Sequence, residues 1–91
     1  MAFILEPTPA FARKLKKLTT KNQLLIPIIT TKLKLLAQNP KNPTLKFHKV
    51  LGNFSSSITG DIRVIWRYKD ESRLEIEILE LIDIGGHDEV Y

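Results

Sequence analysis

The stretch GDIRVIWRY, residues 60–68, carries the residues with the clearest capacity for chemistry. Its alternation puts Ile62, Val64, Trp66 and Tyr68 on one face of a strand and Asp61, Arg63, Ile65 and Arg67 on the other. A second stretch, TLKFHKVL (44–51), alternates in the same way, with Lys46, His48 and Val50 opposite Leu45, Phe47 and Lys49. If the two strands share a sheet, two arginines, a lysine and a histidine meet on one open face. Such a surface suits phosphate, because a guanidinium can fork onto two phosphate oxygens. The competing reading is an open sheet face that is charged because water covers it.

His48 and His87 are the two histidines. With a reference pKa of about 6.5, imidazole exchanges protons near neutrality. The two lie 39 positions apart with scattered carboxylates, so no metal-ligand spacing supports them. The chain has no cysteine, which removes a disulfide scaffold, a thiolate nucleophile and a cysteine-ligated zinc. No G-x-S-x-G elbow, P-loop or dinucleotide-type glycine motif is present. The hydroxyls of SSS (55–57) fall within a strand and read as lining or bonding along the sheet surface.

Positioning these residues takes a helical first half and a stranded second half. AFIL (2–5) reads as a first strand, and Pro7 and Pro9 lead into a helix whose Phe11, Leu15 and Leu18 share a face. Thr19–Asn22 breaks that helix, and Thr20 or Asn22 could cap the next. Residues 23–38 form a second helix with Leu25, Ile29, Leu33 and Leu36 in register, Pro27 arguing for a late start or a kink. Asn39-Pro40 stops it. Strands follow at 44–51, 54–59 and 62–68, then a hairpin connection at 69–72 and a last strand at 74–84. The expected fold is α+β: β-α-α-β-β-β(-β), a helical hairpin on one face of a mostly antiparallel twisted sheet, as one domain over 1–91.

Charge divides the chain in the same way. Residues 1–50 hold ten Lys/Arg against a single acid, Glu6, a net +9; residues 51–91 hold four against nine, a net −5. The basic half points to a polyanionic partner, with nucleic acid the leading class. Hydrophobic content of 43% and charge of 26% fit a soluble globular domain. The lack of cysteine, of a membrane-length apolar run and of a signal pattern leads us to expect a cytoplasmic protein.

Three stretches together resemble the RelE/ParE toxin superfamily of bacterial type II toxin–antitoxin modules: LAQNPKNPTLKFHKVLG (36–52), GDIRVIWRY (60–68) and LELIDIGGHDEVY (79–91). The resemblance implies that fold and, for many members, an endoribonuclease that cuts messenger RNA in the ribosomal decoding site. Members of the ParE type instead poison DNA gyrase, and some have lost activity. The ending, a histidine followed four residues later by an aromatic, resembles YafQ-type messenger-RNA interferases. On that pattern His87 matches a catalytic histidine, Tyr91 the terminal aromatic, Asp61 a functional acid and Arg63 the arginine at the scissile phosphate. His48 lies in a K-x-H stretch whose basic side chains line the cleft. The sequence departs where YafQ-like toxins place a further histidine, here Ser57, and its basic cluster is reduced to Lys46 and Lys49.

The implied chemistry uses the substrate's own 2′-hydroxyl as nucleophile, so neither metal nor small-molecule cofactor is expected. Arg63 would stabilise the phosphorane, His87 act as general acid, His48 or Asp61 as base, and Tyr91 position the substrate. Lys46, Lys49 and Arg67 would bind RNA. The implied partners are a cognate antitoxin, messenger RNA and the ribosome, with no membrane.

Overall fold

The computed structural model describes residues 3–69 and 78–86. Its elements run β1 (Ile4–Pro7), α1 (Pro9–Lys21), α2 (Leu25–Gln38), a 3₁₀ turn (Pro43–Leu45), β2 (His48–Val50), β3 (Asn53–Ser57), β4 (Ile62–Lys69) and β5 (Ile78–Gly86). Both helices pack on a five-stranded sheet of order β1-β5-β4-β3-β2. The β2–β3, β3–β4 and β4–β5 pairs are antiparallel, whereas β1 runs parallel to β5. The α+β expectation holds. The parallel pairing of first and last strands was not foreseen, since alternation carries no information about distant partners.

Local chemistry explains the helix boundaries. Thr8 caps α1, its Oγ1 accepting from the Phe11 amide at 3.3 Å, and Pro9 occupies a first-turn position that needs no N–H. The same hydroxyl donates to the Leu81 carbonyl of β5 at 2.9 Å and locks the β1–α1 corner to the sheet. Of the break expected over Thr19–Asn22, only Asn22 leaves the helix. Thr19 folds its hydroxyl back onto the Leu15 carbonyl at 2.9 Å and stays helical, and Asn22 ends α1 as its C-cap. Asn22 Oδ1 accepts from the Leu24 amide, but α2 starts at Leu25 with no side-chain cap, which puts Pro27 in its first turn.

The apolar faces of the helices meet the inner face of the sheet. Phe11, Ile29 and Leu36 are buried against Val64, Trp66, Leu79, Leu81 and Ile84, with Leu15, Leu18, Leu25 and Leu33 packed around them. Toward β2, Phe47, Phe54, Trp66 and Tyr68 form an aromatic tier; Phe54 stacks on Trp66 at 4.8 Å and Tyr68 meets Trp66 edge-on at 5.3 Å. Tyr68 closes this tier at the surface and is half exposed.

The strand expected over 44–51 is shorter. Asn42 Oδ1 accepts from the Thr44 amide at 3.0 Å and starts the 3₁₀ turn, which ends at Lys46 in the left-handed region, so pairing begins at His48. The alternation of Leu45 and Phe47 came from burial of both against the core, not from strand geometry. A further irregularity lies between β4 and β5: Ile65 pairs with Asp83 and Trp66 with Leu81, leaving Ile82 as an extra bulge residue.

Candidate functional site

The outer face of β3 and β4 brings the central candidates together. Ser57 pairs with Arg63, Ser55 with Ile65, and His48 of β2 with Ser55, so these side chains share the face away from the helices. The three serines divide their work. Ser56 points inward, fully buried, and accepts the Trp66 indole N–H at 2.8 Å. Ser57 donates to the Thr59 carbonyl at 2.9 Å. Ser55, also fully buried but facing outward, accepts from Arg63 Nε at 2.5 Å.

Arg63 is the hub. Its Nη2 donates to the Lys46 carbonyl at 3.1 Å and lies 3.3 Å from His48 Nδ1, with the Ser55 carbonyl at 3.4 Å. Arginine has no acceptor atoms, so a hydrogen bond in this contact needs the His48 tautomer whose Nδ1 accepts. The left-handed backbone of Lys46, φ 46°, turns the chain between the 3₁₀ turn and β2 where that carbonyl meets Arg63. The Ser55 hydroxyl and the two carbonyls are uncharged. Among the described residues Arg63 joins no ion pair, whereas Arg67 is bound to Glu80 at 2.6 Å and Lys14 to Asp83 at 2.8 Å.

The remaining candidates separate. Arg67 is on the outer face, but its charge is met by Glu80, its cross-strand neighbour. Lys49 pairs with Phe54, whose ring stacks on Trp66, and therefore belongs to the opposite side of the sheet from His48. Lys46 is exposed beside the Arg63 contact. Asp61 is exposed in the bend before β4, where its amide donates to Thr59 Oγ1 at 3.2 Å; among the described residues its carboxylate has no bond to Arg63 or His48. His87 and Tyr91 lie outside the described residues. Gly85 and Gly86, beyond the expected strand end at residue 84, are the final two residues of β5 and pair with Arg63 and Ile62. The backbone is thus carried to the level of Arg63 one residue before Gly86.

Ser55 was missed as a site residue. A strand serine lacks a sequence signature for gripping an arginine, and the hint available was its place opposite a histidine in an adjacent strand. Among the described residues no group of three or more His, Cys, Asp or Glu is arranged to hold a metal ion. No helix of the described residues is long and apolar enough to cross a membrane.

No protein-family model and no curated protein matches the chain in sequence. Solved structures do match in shape. The YoeB/ParE toxin from Agrobacterium tumefaciens superimposes with a TM-score of 0.76 at 17% identity, covering 93% of this chain and 99% of that one. YafQ in the Escherichia coli DinJ–YafQ toxin–antitoxin complex gives 0.75 at 16% identity, over 100% of this chain and 99% of that one. A metal-bound toxin from Helicobacter pylori gives 0.70 at 21% identity, with both chains covered over 100%. These neighbours are RelE/YafQ-like toxins of toxin–antitoxin modules, and the chain has their fold.

Proposed function

We propose that the chain is a RelE/YafQ-like toxin of a type II toxin–antitoxin module and an endoribonuclease that cleaves messenger RNA at the ribosomal decoding site. The observation that carries this reading is the Arg63–His48 contact, in which a guanidinium without a carboxylate partner among the described residues lies 3.3 Å from an imidazole nitrogen. Arg63 is where a phosphate would bind, and its charge would grow in value as the phosphorane forms. Substrate engagement would draw Nη2 from His48 Nδ1 and free that lone pair to take the 2′-hydroxyl proton. His87 would then protonate the 5′-oxygen leaving group, with Tyr91 against the substrate base. Asp61 is the alternative base. Lys46 supports RNA binding at this face, whereas Arg67 and Lys49 are poorly placed for it.

The 2′-hydroxyl serves as nucleophile, so the scheme requires no metal or cofactor. A cognate antitoxin is the proposed protein partner, supported by a structural neighbour solved in complex with its antitoxin. The helices carry Arg13, Lys14, Lys16, Lys17, Lys21, Lys32 and Lys34 with no acid between Pro9 and Gln38, a surface suited to an acidic segment. The proposed setting is the cytoplasm.

Mapping transcript ends after brief induction tests the reading. Discrete cuts within translated messages support it, and His87→Ala should lower cutting by at least about a hundredfold in a protein that still folds. Intact messages with DNA damage would replace it by gyrase inhibition. Full toxicity of folded His87→Ala would remove His87 from the mechanism.

A further inference from the structure

We infer that Ser55 is a positioning residue for the Arg63–His48 pair, acting through Arg63 and never touching substrate. The role rests on the nuclease reading of this site. Ser55 has no exposed surface, so no RNA atom can reach its hydroxyl. Its Oγ takes Arg63 Nε at 2.5 Å, and its carbonyl lies 3.4 Å from Nη2. Its backbone pairs with His48, fixing where the imidazole stands in the adjacent strand. One residue therefore sets both members of the contact, the arginine by side chain and the histidine by register.

The choice of serine follows from what the arginine must do. An arginine side chain carries large rotamer freedom, and bonding Nε fixes the plane in which both amino groups point. A carboxylate at this position would hold the guanidinium as firmly but neutralise it, as Glu80 does for Arg67 at 2.6 Å. A buried hydroxyl orients the group and leaves its charge for phosphate. Among the described residues Nη1 has no hydrogen-bond partner, so the held guanidinium keeps one amino group available.

The test compares wild type with Ser55→Ala, Ser55→Thr and the same-face control Ser57→Ala, each checked for folding by thermal melting. Cleavage of messenger RNA held in the decoding site of ribosomes by Ser55→Ala should lose about ten- to a hundredfold in kcat with KM within about twofold, the scale of a hydrogen bond to a charged group. Ser55→Thr, which retains the oxygen, should recover most of the loss, and Ser57→Ala should resemble wild type. Independently of cleavage, the Arg63 Nε–H signal should exchange slowly with water in wild type and at least about tenfold faster in Ser55→Ala. An unchanged exchange rate, or unchanged kcat in folded Ser55→Ala, overturns the role. Wild type that cleaves no RNA, yet shows the protected Nε–H and its loss in Ser55→Ala, would sink the nuclease reading and retain Ser55 as the residue that orients Arg63.

Discussion

The two faces of the β3–β4 pair answer one problem in opposite ways. On the inner face the Ser56 hydroxyl takes the indole N–H of Trp66; on the outer face the Ser55 hydroxyl takes Nε of Arg63. Both serines are fully buried and both reach a nitrogen of β4. Inside, the bond satisfies a neutral donor that is itself sealed among aromatic rings, and nothing remains for a ligand. Outside, it restrains a cation that joins no ion pair among the described residues and whose Nη1 has no hydrogen-bond partner there. Serines at adjacent positions of β3 thus satisfy a core indole on one side and hold the arginine of the candidate site on the other. Arg67 sharpens the lesson, because facing outward is not enough. Its charge is spent on Glu80.

The division can be broken by substitution. The largest effect should come from Trp66→Ala, which empties the centre of the aromatic tier and should lower unfolding free energy by about 3–5 kcal/mol in denaturant titration. Comparable loss from an outer-face variant would dissolve the distinction. Arg63→Lys keeps the charge but cannot reproduce the fork held at Nε; it should cost about 10²–10³-fold in RNA cleavage with little change in melting temperature. Ser56→Ala leaves the buried indole N–H without its acceptor and should destabilise by about 1–3 kcal/mol, while the folded fraction cleaves normally. The smallest change belongs to Arg67→Ala: an exposed pair of this kind contributes about 0–1 kcal/mol, and cleavage should stay within a few-fold of wild type. A large catalytic loss there would mean that Glu80 releases Arg67 to the substrate.

Much of this arrangement was legible before any coordinates. The facing of Ile62, Val64 and Trp66 against Arg63 and Arg67 follows from a two-residue period, and the core uses the inner set as expected. The helix faces were readable for the same reason. Three things were hidden. Alternation at Leu45 and Phe47 mimicked a strand because burial on one side looks alike in a 3₁₀ turn and an extended chain. The β1–β5 pairing joins residues about seventy positions apart, beyond any local signal. Arg67 and Arg63 are equivalent by period, and only the cross-strand neighbour, Glu80 or Gly85, separates them.

The position of β5 has a consequence for how the molecule comes into being. Although it is the last strand described, it sits between β1 and β4, so the sheet has a gap until residues 78–86 are in place. A nascent chain that has released only β1 to β4 holds its first strand without a neighbour and lacks Leu79, Leu81 and Ile84 of the core. Closing a sheet through contacts so distant in sequence is slow compared with helix formation. During synthesis the helices and the β2–β4 meander can form early, but the floor beneath Arg63 is completed only when the final strand slots between its neighbours. Assembly of the candidate site is thereby tied to the end of folding rather than to its beginning.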